Sequence, residues 1–596
     1  MRHIGKEEIM DINKFKLLNY YYNLSLNRKN ILLDKRTEHV LNNSKIEKDL
    51  TTSGLLENKQ LTQKGIEALQ PYKVNNAVIL AAGSATRFIP LSLEYPKGLF
   101  EVKGEKLIER MIKQLQEAGI KDITIVLGYK KEMFYYLEKK YNVSLVVNDE
   151  YQSKNNIESL KCVKDRLKNT YICFCDDYFI GNPFNQFEYA SFYGGYESTE
   201  NLSEMFAITD NDEKIISMQK GNAEGGEVLL GHTYWTAEFS KKFIECVNND
   251  KDEKYAQKFW EWLVRDNLSV LPDFYFKEYS INKIFEFDYF EQLRAFDHEY
   301  VGHANSEILR NIKLVFRCDE EDIVNFRPIK KGMTNTSFIF QIDGTDYIYR
   351  HSGDGTEEII NRRNEKNSLI TAQKIGIDPT YIYMDVNEGW KISKFISSFR
   401  EPDYKNFEDS KKIIQVLQKL HSADLKADYG MKPWEDAVAM EQLIKNKDSH
   451  SFDEYEKLKQ KVKKLYVKTI GDGIQKCFCH GDTYKHNWMI EPNGQVYLID
   501  WEYSGYSDPG IDVGYYIVDA MYDFDTAERF IKTYLGQDYN SITDFHFTAY
   551  VAIIAYYWFV WAMYREACGA DMGESLENWR FMAEKYADYL LEKGSR

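Results

Sequence analysis

The sequence predicts an α/β multidomain protein. Residues 1–72 form a small helical module, 73–302 a doubly wound α/β domain, and 303–596 a β-then-helical domain. Three observations carry this. From Val74 onward apolar strand-like runs alternate with helical ones, which implies a parallel sheet covered by helices. Near residue 300 the alternation gives way to a hairpin followed by an aromatic-rich helical half. Ahead of Val74 the chain is polar and helical in pattern. The 596 residues far exceed the roughly 100–200 of one domain, so several units are expected.

In the first segment, Leu55 to Leu61 reads as a short hairpin and Thr62 as the N-cap of a helix ending at Leu69. Ala77–Ala82 is a buried parallel strand ending in a Gly83 loop. Leu107–Ala118 is a helix, Ile123–Leu127 a strand and Met133–Lys140 a helix. Ser144–Val147 and Tyr171–Cys175 are further strands. Ligands of such sheets sit at the carboxyl ends of strands, where the Gly83 loop and Asp176-Asp177 lie. Phe338–Ile342 and Tyr347–Arg350, joined through Asp343-Gly344, form the hairpin.

Composition narrows the function. A net charge of −16 argues against a chain-wide nucleic-acid surface, which needs clustered Lys and Arg. Residues 1–70 hold twelve Lys and Arg against nine Asp and Glu, too few for a dense basic stripe. A regulatory or homo-oligomer-forming module is the expectation there. Cys173/Cys175 and Cys477/Cys479 each sit on one face of a strand and lack zinc-ligand spacing. The apolar run Ala549–Met563 is shorter than the roughly 20 residues a membrane span needs. No signal peptide is visible, so a cytoplasmic enzyme without membrane contact is expected.

Two strings carry chemistry. In the first, Gly83 allows close backbone approach to phosphate, while Arg87 and Lys97 supply positive charge. In the second, His480-Gly-Asp482 is followed by Asn487 and then by Asp500 at a strand end. That spacing matches the catalytic loop of the kinase fold. Trp558 and Trp561 lie three apart and so share one helix face. Tryptophan faces attract a quaternary ammonium.

The string Ala81-Ala82-Gly83 through Arg87, then Pro96-Lys97-Gly-Leu, resembles the sugar-nucleotide and phosphocholine nucleotidyltransferase family. Ala85 departs from it, since many members carry glycine there. Asn148-Asp-Glu-Tyr151 and Asn155-Asn156-Ile157-Glu-Ser159 resemble the cytidylyltransferases of the bacterial phosphocholine pathway. This resemblance implies Ala82, Gly83, Asn156 and Ser159 at CTP, and Asp176 with Asp288 on Mg²⁺. It also implies aromatic residues around a trimethylammonium head, with Phe259-Trp260 and Tyr234-Trp235 as candidates. Where the family often has an aromatic, Met205 stands here.

The second string resembles the choline/ethanolamine kinase and aminoglycoside phosphotransferase superfamily. Asp500 is followed by Trp-Glu rather than Phe-Gly, which sets it apart from protein kinases. The resemblance implies Asp482 as the group that aims the substrate hydroxyl, with Asn487 and Asp500 on Mg²⁺. Lys331-Gly332 to Asn335 and Ser337 stand at the ATP phosphate loop, Arg350 at the strand cation and Glu365 at its helix partner, with Arg363 a neighbouring alternative. Trp558, Trp561, Trp579 and Glu502 are the choline candidates, and His421 reads as a satisfied core histidine. The first module resembles the end of a winged-helix domain.

Together the resemblances imply a bifunctional enzyme using ATP, CTP, choline and phosphocholine. The alternatives are a sugar nucleotidyltransferase fused to an aminoglycoside-type or ethanolamine kinase, and a nucleotide-sensing transcription regulator.

Overall fold

A computed structural model describes residues 10–200, 202–222, 225–297, 305–329, 336–351, 361–444, 451–568 and 572–593. The chain divides into two compact units, Met1–Glu321 and Asp322–Arg596. The expected boundary at 302/303 therefore falls about one helix early. Helix Glu307–Phe316 belongs to the first unit because Glu94 accepts from its first-turn amides, Glu307 N at 2.6 Å and Ile308 N at 3.2 Å. A carboxylate at a helix N-terminus satisfies orphan N–H groups and opposes the dipole.

In the first unit, strand Asn76–Ala81 sits at the centre of the main sheet. It pairs in parallel with Ile123–Leu127 on one side and Thr170–Phe174 on the other. Ser144–Val147 adds a further parallel strand, while Gly226–Trp235 runs antiparallel to Thr170–Phe174. All six residues of Asn76–Ala81 are buried. Ala77, Ile79 and Ala81 join one apolar cluster, and Val78 and Leu80 join another. Both faces are covered, which is why the strand reads as a continuous apolar run.

The N-terminal module packs onto this sheet within the same unit. Its helices are Ile12–Ser25, Lys35–Leu41, Ser44–Thr52 and Gln63–Leu69, with a two-stranded hairpin, Leu56–Glu57 and Gln60–Leu61. Thr62 caps the last helix, its Oγ1 accepting from Gly65 N at 3.1 Å. Tyr22 donates to Gln186 at 2.5 Å and Arg28 to the Phe184 carbonyl at 2.9 Å.

The second unit has a five-stranded antiparallel sheet in the order Val324–Pro328, Thr336–Ile342, Thr345–His351, Lys391–Lys394, Tyr381–Met384. Asp343 (φ 49°) and Gly344 (φ 73°) make the two-residue turn, whose left-handed backbone conformation matches the right-handed twist of the flanking strands. The helical part is built around Ser541–Ala567. That helix is long and apolar enough to cross a membrane by composition, but 94 % of its most apolar stretch is buried in the unit's core.

Candidate active sites

At the carboxyl end of the central sheet, the first unit opens a cleft of about 640 Å³. Ala82, Gly83, Arg87, Lys97, Asn156, Ser159, Asp176, Phe259 and Asp288 all line it. A side chain at Gly83 would meet no atom within 4 Å, so the loop leaves open space over its backbone. Ala85 takes a left-handed conformation, φ 48° and ψ 43°. This is the reason a glycine suits that position, since alanine pays a steric cost there.

The charged groups of the cleft are arranged in pairs. Lys97 donates to Asp176, and Arg87 Nη1 lies 3.0 Å from Asp288 Oδ1. Glu286, absent from the sequence expectation, lines the same wall. Burial and the neighbouring Asp176 push its carboxyl up to about 8. Its strand Ile284–Glu286 pairs with Asp177–Phe179, which brings residues about a hundred positions apart to one edge. Asp177 itself is buried and its carboxyl is raised, chiefly by burial.

Asn156 opens helix Asn156–Cys162, and its Oδ1 accepts from Trp260 N at 2.8 Å. Ser159 accepts from Asn148 Nδ2 at 3.1 Å. The aromatic expectation needs correction. Trp260 is fully buried against Tyr193, Trp235 and Phe243 and does not line the cleft. Tyr234 and Trp235 are core residues as well. Trp262 lines the cleft instead, because two residues along helix Trp260–Asn267 change the face presented. Tyr193 and Glu261 line it too. The Tyr193 hydroxyl donates to Glu261 Oε1 at 3.0 Å, while Oε2 is buried without a partner. Burial pushes the Glu261 carboxyl up to about 7.

In the second unit, strand Cys477–Cys479 leads into the His480–Asn487 loop. Asp512 holds that loop from inside. Its carboxylate accepts from His480 N (2.8 Å), Gly481 N (2.7 Å) and His421 Nε2 (2.9 Å). His421 also meets the Tyr534 hydroxyl at 2.7 Å, so both ring nitrogens are engaged. Asn487 Nδ2 donates to Asp482 Oδ2 at 3.0 Å and to its carbonyl at 2.9 Å. Burial, then Asp500 and Glu502, raises the Asp482 carboxyl well above the carboxylate range.

Asp500 sits at φ 70°, a left-handed position sparsely used by residues other than glycine. Arg350 Nη2 bonds Glu365 Oε1 at 2.6 Å, and its Nη1 lies 3.4 Å from Asp500 Oδ1. Arg362 and Lys391 also reach Glu365, at 3.1 and 3.3 Å. Burial raises the Glu365 carboxyl, but Arg350, Lys391 and Arg362 outweigh it and hold it at about 2. The exposed Arg363 stands apart, and Arg362 takes the place considered for it. Ser337 is the register partner of Arg350. Asn335 lies outside the described residues.

Glu502 also departs from expectation. It lies 3.7 Å from Arg350 and 3.9 Å from Arg362, among the charges around Glu365 and not among the tryptophans. Its neighbour in the Trp501–Ser504 turn, Tyr503, reaches Trp558 instead, at 5.3 Å between ring centroids. Trp558 stacks on Tyr515 at 4.9 Å and lies 5.4 Å from Trp561 and 5.8 Å from Trp579. Tyr503, Tyr515, Asp512, Arg362 and Lys391 were missed. The single sequence has no signal for them, because their roles arise from packing across distant segments.

Residues 76–192 match the nucleotidyl transferase family and residues 326–570 the choline/ethanolamine kinase family. A choline-phosphate cytidylyltransferase from Streptococcus pneumoniae is 34% identical over 236 residues, 39% of this chain and 98% of that protein. A 2-aminoethylphosphonate cytidylyltransferase from Lancefieldella rimae is 35% identical over 234 residues, 38% of this chain and 93% of its own length. The solved structure of the choline kinase LicA from Streptococcus pneumoniae matches at 25% identity and a TM-score of 0.42, over 48% of this chain and 100% of that one. The chain therefore belongs to the nucleotidyl transferase family, with a domain like choline-phosphate cytidylyltransferase, and carries a choline/ethanolamine kinase domain on the same polypeptide.

Proposed function

We propose that this chain makes CDP-choline in two steps. The kinase unit phosphorylates choline with ATP, and the transferase unit joins phosphocholine to the cytidylyl group of CTP, releasing pyrophosphate. The observation that carries this is the transfer cleft's cation-suited corner. Glu261 presents a buried carboxylate oxygen without a partner beside Tyr193 and Trp262. An unpaired buried carboxylate is costly until a cation or donor meets it.

In the kinase unit Asp482 accepts the hydrogen bond of the choline hydroxyl and takes its proton as the oxygen attacks the γ-phosphorus, whose bond to the bridging oxygen breaks and releases ADP. Asn487 fixes the carboxylate through its Nδ2 and keeps its amide oxygen for a metal. Arg350 and Lys391 neutralise nucleotide phosphates, and the rings around Trp558 receive the ammonium head.

In the transferase unit no strong base is needed, because a phosphomonoester with a second pKa of about 6 is largely dianionic at neutral pH. Its oxygen attacks the α-phosphorus directly. Lys97 and Arg87 offset the repulsion between the two anions and hold the attack in line. Asn156 and Ser159 sit on the cytidine side. The donors Asp176, Glu286 and Asp288 in one unit, and Asn487 and Asp500 in the other, are all oxygen ligands of the kind Mg²⁺ takes. When bound, Mg²⁺ supplies charge neutralisation at the phosphates. The protein would work in the cytoplasm, where both triphosphates are available.

The unpaired Glu261 oxygen would also suit the N–H donors of a primary ammonium, so phosphoethanolamine and 2-aminoethylphosphonate form a second reading. Incubation with choline, ATP, CTP and Mg²⁺, followed by mass spectrometry, should yield CDP-choline. Asp482→Ala should abolish phosphorylation yet still convert supplied phosphocholine. Protein that leaves both choline and phosphocholine unchanged would refute the proposal.

A further inference from the structure

The N-terminal module and the transferase sheet enclose a cavity of about 70 Å³. It shares no lining residue with the transfer cleft. At roughly 10–15 Å³ for each water-sized occupant, it has room for about five non-hydrogen atoms or slightly more. Helix Ile12–Ser25 lines one side and strand Tyr275–Glu278 the other.

Asn19, 7 % exposed, stands in the wall. Its Nδ2 donates to the Phe187 carbonyl at 3.3 Å, while its Oδ1 is buried with no partner. A dry acceptor calls for an O–H or N–H donor. The basic side chains of the wall are already paired: Lys16 with Asp34 at 2.7 Å, Lys277 with Glu188 at 2.8 Å and Arg36 with Glu213 at 3.1 Å. An anionic ligand would therefore have to break an existing pair. The fourth carboxylate of the wall, Glu278, pairs with Lys35, so each acid of the cavity already has its cation. Phe15, Tyr189, Tyr275 and Phe276 add aromatic surface. Aromatic faces favour a small organic cation, which would leave these pairs intact.

We propose that this cavity binds a small amino alcohol, its hydroxyl or N–H donating to Asn19 Oδ1 and its charged nitrogen lying against the aromatic wall. The inference stands on the cavity and does not require the activity proposed above. Both sides of the cavity would hold the ligand, so binding would tie the module to the sheet. A five-residue connection, 279–283, leads from strand Tyr275–Glu278 to strand Ile284–Glu286 of a separate sheet, whose Glu286 lies in the transfer cleft. Occupancy of the cavity would thus restrain the segment that carries this acid.

The test is hydrogen exchange on the full chain, with choline and with ethanolamine as probes. At about ten times the dissociation constant, local opening of a bound region slows about tenfold. The expected result is slowed exchange in Ile12–Ser25 and Tyr275–Glu278. Asn19→Leu, which removes the acceptor, and Ala190→Leu, which fills the cavity, should each abolish it. Unchanged exchange in Asn76–Ala81 would show that these variants still fold. No protection of the module by either probe in the unmodified chain would overturn the inference, and so would protection that survives both variants. Protection around Trp558 reports separately on the kinase unit, so failure there bears on the proposed activity alone.

Discussion

Arg350 and Lys391 are register partners on neighbouring strands, and both reach the same two carboxylates, Glu365 and Asp500. The kinase unit therefore presents two cations where the motif alone indicates one. Arg350 makes the shorter contact with Glu365, and Lys391 lies 3.8 Å from Asp500.

Replacing Lys391 should separate phosphate binding from choline binding. Lys391→Met should lower kcat/KM for ATP about 10- to 100-fold, the size of a charged contact worth about 1.5–3 kcal/mol. The KM for choline should stay unchanged. Steady-state kinetics with each substrate varied checks this, and equal losses for both substrates would contradict it. Arg350→Met should also reduce stability, because Glu365 is fully buried and would lose its shortest ion pair.

Ala85 offers a test of backbone strain. A left-handed alanine costs about 1–2 kcal/mol, partly offset by the extra freedom glycine gives the unfolded chain. Ala85→Gly should therefore stabilise the first unit by about 0.5–1 kcal/mol and leave cytidylyl transfer intact. Urea unfolding gives the measurement. A lowered midpoint would show that the loop relaxes differently.

Glu261 should confer pH dependence. Its carboxyl, raised to about 7, is largely neutral below that value and attracts a cation only above it. The KM for phosphocholine should rise as pH falls through about 7. Glu261→Gln should flatten the profile and raise KM at pH 8 about three- to thirtyfold, as expected for a contact worth about 0.7–2 kcal/mol. The stability sign runs the other way. The native state binds this proton more tightly than the unfolded chain does, from a reference value of 4.5. The contribution is complete below that reference and is lost as pH rises through about 7. Glu261→Gln should accordingly raise the Tm above pH 7, and a lowered Tm there would count against an unpaired buried charge.

Trp558 lies within reach of five rings, those of Tyr503, Tyr515, Tyr557, Trp561 and Trp579. Trp558→Phe keeps most of the packing but weakens the ring's pull on a cation. Choline KM should rise about three- to tenfold, with ATP KM unchanged, since tryptophan is the strongest of the aromatic partners. Isothermal titration with choline provides a second readout. An unaltered choline affinity would assign this ring to the core alone.

Much of the placement of the candidate site residues was legible because it rests on short strings. A loop proposed to hold phosphate needs small residues and nearby cations within one strand–loop segment, and Gly83, Arg87 and Lys97 line one cleft. The Asp482–Asn487 contact is likewise set by five residues of chain. The aromatic candidates were less legible. Composition alone does not distinguish Trp260 from Trp262, yet one fills the core and the other lines the cleft.

The sequence by itself determined the alternating strands and helices, the two nucleotide motifs and the hairpin turn at Asp343-Gly344, because these follow from local periodicity and backbone preference. Only tertiary structure decided that Glu286 joins Asp176, that Lys391 stands beside Arg350, that Asp512 holds the His480 loop and that Glu502 turns toward the arginines. These are contacts between segments far apart in the chain. Burial in a shared low-dielectric environment gives each of them its energetic weight, and burial is a property of the packed molecule.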